Sequence, residues 1–210
     1  GLLRVARRDG GVRIYTAHQH ALAPLNAAAR RERIDRLVDV VVHKYAPLPS
    51  LSLSGLVSRL RYAVPQWRHE LKSALVRAKQ RLGHARIDGV DWYWPADEHP
   101  AIVDPQDVVR FLAPFDPVVW DRRRFELFWG WAYRFEAYTP VPKRRLGYYA
   151  LPLLWRDRII GWGNLSVRDG VLHTDIGYAS SSAPTETRFK REIDAEFERV
   201  QAFLGLEPRH

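Results

Sequence analysis

The chain has 210 residues, 46% of them hydrophobic, enough to bury a sizeable core as one or two compact domains. It contains no cysteine, which excludes disulfides and thiolate zinc sites and leaves only His and carboxylates as metal ligands. A formal charge of +9 and a sequence pI near 10.1 favour a polyanionic partner, nucleic acid first.

The opening stretch GLLRVARRDGGVRIY alternates apolar and basic residues around Asp9-Gly10-Gly11 and reads as a two-stranded hairpin with a tight glycine turn. A lone hairpin is marginal in water. A basic ribbon of this kind usually follows a helix-turn-helix, and no helix precedes this one. The chain also has no Met, so it is expected to be a piece of a longer protein. His18 and His20 alternate as metal ligands on a strand would, but no carboxylate or Cys completes a site near them, and no metal is expected.

Between Arg30 and Tyr45, apolar residues at Ile34, Leu37, Val38, Val41, Val42 and Tyr45 mark one face of a helix. SLSGLVSRLRYAV reads as a short second helix capped by Ser50 or Ser52, and Pro65 separates it from a third over residues 66–82. There Trp67, Leu71, Ala74, Leu75, Ala78 and Leu82 form the inner stripe. Arg68, Lys72, Arg77, Lys79 and Arg81 lie largely outside it, and Gly83 supplies the stop. HARIDGVDWYWP then alternates through an Asp-Gly turn as a second ribbon.

Beyond Pro100 the texture changes. Residues 102–131 read as short helical pieces between prolines. YRFEAYT, GYYALPLLW, RIIGWGNLSV and GVLHTDIGY read as strands, with turns at Pro140–Lys143, Arg156-Asp157 and Asp169-Gly170. These give a small antiparallel sheet or barrel. Phe189, Ile193, Phe197, Val200 and Leu204 then space a final amphipathic helix that covers it.

Helix, helix, basic helix and ribbon is the order of a winged helix-turn-helix, whose third helix enters the major groove of DNA. The predicted fold class is α+β: a wing-like hairpin over 1–16, a winged helix-turn-helix over 17–99, and a sheet or barrel with a C-terminal helix over 100–210. No apolar run approaches a membrane span, and residues 1–20 lack the apolar core of a signal peptide, so a cytoplasmic, nucleoid-associated protein is expected.

The motifs Phe115-Asp116-Pro117, Asp121-Arg122-Arg123, Tyr133-Arg134-Phe135-Glu136, Tyr138, Pro140, Lys143-Arg144, Gly147-Tyr148-Tyr149 and Leu151-Pro152 resemble the winged-helix DNA glycosylases of the YcaQ and AlkZ type. The resemblance implies winged-helix modules stacked on a small β-barrel and hydrolysis of the bond between an alkylated or crosslinked base and its sugar. It also implies that this chain is the C-terminal portion of such a protein. That family's Gln-x-Gln or Gln-x-Asp signature does not map here: none of Gln19, Gln66, Gln80 or Gln106 has Gln or Asp two positions later. The chain is therefore expected to bind double-stranded DNA, damaged DNA included, with little or no base excision of its own and without a cofactor.

Asp116, Asp121 and Glu136 are the carboxylates within the matched segment that could assist an oxocarbenium-like transition state. Each has a structural alternative: Asp116 before a proline as a turn cap, Asp121 as the cap of a helix over Arg122–Phe128, and Glu136 as an ion-pair partner of Arg134 on one strand face. The DNA-binding candidates are Arg68, Lys72, Arg77 and Lys79 on the third helix, Arg122 and Arg123, and Lys143, Arg144, Arg145 and Tyr148 at the expected hairpin turn. Alternation sends Tyr148 and Tyr149 to opposite faces, one of them to the core. Trp120, Trp129 and Trp131 are expected in the core. Two other readings stay open: a non-enzymatic winged-helix DNA-binding protein or regulator, and a basic protein whose arginines are only solvated.

Overall fold

The computed structural model describes residues 3–17, 26–99, 103–180 and 182–206; the His18–His20 stretch lies outside them. β1 (Leu3–Asp9) and β2 (Val12–Ala17) pair as an antiparallel hairpin. Gly10 and Gly11 hold φ of 53° and 83° at its turn, the left-handed geometry that suits the twist of the flanking strands. Leu3, Val5, Val12 and Tyr15 are exposed on it.

Asn26 caps α1 (Ala27–Tyr45) by accepting from the Ala29 amide at 2.8 Å, and the helix buries Ile34, Val38 and Val42 at four-residue spacing. A two-residue strand, β3 (Leu48–Pro49), leads into α2 (Ser50–Ala63). The expected serine cap is not made. Pro49 holds the N-cap position without a side-chain acceptor, and the Ser50 hydroxyl instead accepts from Lys79 Nζ at 2.7 Å.

The helix expected over 66–82 is divided: Pro65 starts a 3-10 stretch, Pro65–Glu70, and α3 runs over Leu71–Arg81. Gly83 is not a left-handed cap. The chain leaves α3 through extended Leu82, and Gly83 begins β4 (Gly83–Ile87), where a Cβ would lie 2.6 Å from Trp94 Nε1. β4 pairs with β5 (Val90–Trp94) across Asp88-Gly89, both at positive φ, and β3 adds to the other side of β5. The three helices and this sheet share one core that includes Ile34, Val38, Leu48, Leu53, Val57 and Ala74.

Within 102–131, expected as helical pieces, lies a strand. β6 (Val109–Phe111) pairs with β7 (Leu151–Trp155), and α4 (Arg122–Trp129) is capped by Asp121 and ended by Gly130 at φ 64°. β8 (Arg158–Arg168) and β9 (Val171–Tyr178) continue the sheet in the order β6-β7-β8-β9. It is an open sheet, not a barrel: among the described residues no ladder joins β9 to β6. Closure requires tilted strands in a consistent stagger around the ring, and here one face is instead covered by α5 (Thr187–Leu204).

α5 seats Phe189 and Ile193 against Val109, Leu153 and Trp155. Burying a side chain of that size is worth about 1.5–3 kcal/mol, several times the helix propensity of any one residue, so packing is what holds α5. Its Glu196, 5% exposed, accepts from the Phe111 amide and from Arg199 Nε, both at 2.8 Å, and so caps the β6 edge. Among the described residues no helix is long and apolar enough to cross a membrane.

Candidate nucleic-acid interface

Among the described residues, two cationic surfaces carry most of the candidate DNA-binding residues. The first is a groove of about 460 Å³ beside α2 and α3, lined by Ser58, Arg61, Arg68, His69 and Lys72 over Val57 and Leu75. Arg68 and Lys72 are exposed there. Their neighbours on the third helix are engaged by the fold. Arg77 forms a two-pronged pair with Asp35 of α1 at 3.0 and 2.7 Å, which raises its pKa against the opposing effect of burial. Arg81 pairs with Asp39 at 2.6 Å, and Lys79, besides its bond to Ser50, lies 5.1 Å over the Tyr93 ring. To take a phosphate, Arg77 would first have to release Asp35.

The second surface is built from residues 133–150, between α4 and β7. The strand expected at 133–139 and the hairpin turn after it do not form; a 3-10 turn over Val141–Lys143 interrupts an otherwise irregular loop. Pro140 and Pro142 have no N–H to offer a ladder, and several of the loop's main-chain groups are taken by side chains. Tyr133 Oη donates to the Ala150 carbonyl, Asn164 Nδ2 of β8 donates to the Leu146 carbonyl, and Arg144 Nε donates to the Thr139 carbonyl, each at 2.8 Å. Burial is the main cause that pushes the Tyr133 hydroxyl well above its ordinary pKa, so it stays protonated and able to donate.

Glu136 is the keystone of the loop. It is 7% exposed, off any strand, and one carboxylate oxygen accepts from the amides of Arg145 and Leu146, each at 2.8 Å. The expected ion pair with Arg134 is absent among the described residues, and Arg134 is exposed. Asp116 and Asp121 follow their structural alternatives: Asp116 Oδ1 accepts from the Val118 amide at 2.8 Å, and Asp121 from the Arg124 amide at 3.3 Å. Each of the three carboxylates gives one oxygen to main-chain amides.

Lys143, Arg145 and Tyr148 are exposed on the anchored loop, and Arg144 lies 4.9 Å over the Tyr148 ring. Tyr148 and Tyr149 precede β7 instead of lying within a strand, so neither is driven into the core; both stay exposed. Arg122 and Arg123 are exposed on the first turn of α4, whereas Arg124 turns inward, 2% exposed. The three tryptophans border the core, half-buried, instead of filling it: Trp129 and Trp131 pack against the Phe125 and Tyr133 cluster, and Trp120 lies edge-on to Tyr45 at 5.3 Å.

A family model of the AlkZ-like DNA glycosylases matches residues 1–203. The chain belongs to the AlkZ-like DNA glycosylase family. No solved structure matches it. As an AlkZ-like protein it is of DNA-repair glycosylase type, with DNA as the family's substrate. Gln201 of α5 does not supply the glutamine signature either, since Phe203 stands two positions on. Arg61 in the groove, Phe115 beside the loop and Tyr138 on it carry no local signal in the sequence that marks them as site residues. Tyr138 lies inside the matched motifs, but nothing local distinguishes an exposed tyrosine from a buried one.

Proposed function

We propose that this chain is a duplex-DNA-binding body of a repair glycosylase that removes alkylated or crosslinked bases. The observation that carries the reading is the anchored loop 133–150, where buried Glu136 and half-buried Asn164 hold the backbone that displays Lys143 and Arg145, in a chain of the AlkZ-like DNA glycosylase family. Residues 17–99 are read as a winged helix-turn-helix, which the order α1, α2, α3 and the β4–β5 hairpin supports. The segment 1–16, which holds most of the β1–β2 hairpin, is read as a wing, and 100–210 as the sheet domain. Arg68 and Lys72 in the groove, Arg122 and Arg123 on α4, and Lys143 and Arg145 on the loop bind phosphates, with Tyr148 against sugar; Arg77, Lys79 and Arg144 act after rearranging their present partners.

Base excision needs a placed water and a negative or strongly accepting group beside the sugar. The commitment of Asp116, Asp121 and Glu136 to backbone amides supports binding without excision by this chain alone, which also favours the reading as a non-enzymatic DNA-binding protein. Fluorescence anisotropy on duplex DNA at increasing salt tests the binding. About five neutralised phosphates give a log-log slope of roughly −4 to −5. A flat response sinks the nucleic-acid reading. Release of an N7-alkylated base from duplex by the purified chain, scored as abasic sites, would restore chemistry to it.

A further inference from the structure

The loop that carries these cations also carries most of an exposed aromatic cluster that the duplex-binding reading does not use. Phe135 is its centre: Phe115, Tyr138 and Tyr149 meet it edge-on, with ring centroids 5.6, 6.2 and 4.9 Å away. Two of these rings are held up to solvent, Tyr138 at 91% and Phe115 at 70% exposure. The loop that carries Phe135, Tyr138 and Tyr149 is braced. Glu136 fixes the backbone at Arg145 and Leu146, the Arg144 bond to Thr139 draws the two limbs of the loop together, and Gly147, at φ 121°, leaves no room for a Cβ, which would lie 2.3 Å from the Asn164 side chain.

We infer that this cluster is a stacking platform for unpaired nucleobases, and that it gives the protein a preference for duplex DNA that is locally opened. The inference rests on the DNA-binding reading above. Paired bases hide their π-faces inside the duplex, whereas an unpaired base offers its face to any ring, whatever its sequence. Lys143 and Arg145 on the same loop supply cations for the flanking phosphates, so charge and stacking are presented together. An apolar protein surface seated here would have to bury those two charges without a partner, which disfavours it as the occupant.

The test compares an uninterrupted duplex with one of the same length carrying a two-nucleotide bulge, by anisotropy at fixed salt. The full chain is expected to prefer the bulged duplex. Phe115→Ala with Tyr138→Ala should weaken bulge binding by about tenfold or more, the size expected for loss of a stacked base, and change intact-duplex binding by less than about twofold. Both side chains are exposed, so the variant is expected to fold, and circular dichroism verifies that. Tyr138→Phe should keep the preference, since stacking needs the ring and not the hydroxyl. Arg68→Ala with Lys72→Ala should weaken both duplexes alike. With 2-aminopurine in the bulge, binding should quench its fluorescence, and the double alanine variant should lose the quench. No preference in the wild type, or a preference retained by the double alanine variant, overturns the platform while leaving duplex binding intact. Failure to bind either duplex overturns the DNA reading itself.

Discussion

The guanidinium of Arg124 on α4 donates to the main-chain carbonyl of Tyr45, the last residue of α1, and with its other terminal nitrogen to the carbonyl of Pro117. One side chain thereby joins the helical core to the segment that leads into the sheet. Burial lowers its pKa, with Asp121 and Asp116 opposing the shift, and the group remains a cation. Arg124→Ala should destabilise the protein by about 2–4 kcal/mol, because two main-chain acceptors lose their charged donor in a buried place. Arg124→Lys should recover less than half of that, since an ammonium lacks the planar fork that reaches two carbonyls. Urea unfolding measures both; an alanine variant as stable as the wild type would remove Arg124 from the junction.

A second prediction separates structure from chemistry at Glu136. Glu136→Gln keeps an acceptor oxygen for the Arg145 and Leu146 amides and should cost less than about 1 kcal/mol, whereas Glu136→Ala leaves two amides without it and should cost about 2 kcal/mol or more. The alanine variant should also bind duplex DNA more weakly, because the backbone carrying Arg145 is released. Equal stability of the two variants would contradict the anchoring role.

Why the loop was not legible as a loop follows from its residues. Tyr133-Arg134-Phe135-Glu136 alternates as a strand does, but a strand also needs a neighbour to take its N–H and C=O groups, and here Glu136 and Asn164 spend that capacity on the loop itself. β6 is three residues long and is specified by β7, more than forty positions later, which no local period records. Helices α1 and α5 and the hairpins at Gly10-Gly11 and Asp88-Gly89 depend on spacing and turn chemistry within one element, and those were readable. Of three successive arginines, Arg124 is the buried one because its guanidinium meets the Tyr45 and Pro117 carbonyls, a placement that no local pattern records.

The ion cluster at the start of the sheet domain predicts a pH effect. Asp107 accepts from Arg156 at 2.6 Å and from Arg188 at 2.7 Å, and these bonds, Arg156 first, hold its pKa below the ordinary 3.8 against a smaller effect of burial. The unfolded chain then binds the proton more readily than the native one. The stabilisation is complete above the ordinary value and is lost as pH falls through the lowered one. Asp107→Asn should therefore be less stable than the wild type at neutral pH, with the difference closing below pH 3.8. Urea midpoints at pH 7 and under acid conditions test this; a gap that widens in acid would assign the stabilisation to another group.

The last prediction concerns cations that the fold does not want. Arg122 and Arg123 occupy the first turn of α4, where the amides of the helix concentrate positive charge, and the Asp121 cap, which accepts from the Arg124 amide alone, is the one acidic residue at that terminus. Each such cation costs about 0.3–1 kcal/mol at low ionic strength. Both side chains are exposed, so packing returns little of that cost. Replacing both with Gln should raise stability by several tenths of a kcal/mol at low salt, and the gain should fade as salt screens the helix terminus. If the two arginines hold phosphates, the same variant should bind duplex DNA more weakly and flatten the log-log salt slope by about 1 for each contact removed. Stability that rises while the slope stays unchanged would take Arg122 and Arg123 out of the interface; stability that falls would mean that their side chains serve the fold in a way that exposure at a helix N-terminus does not explain.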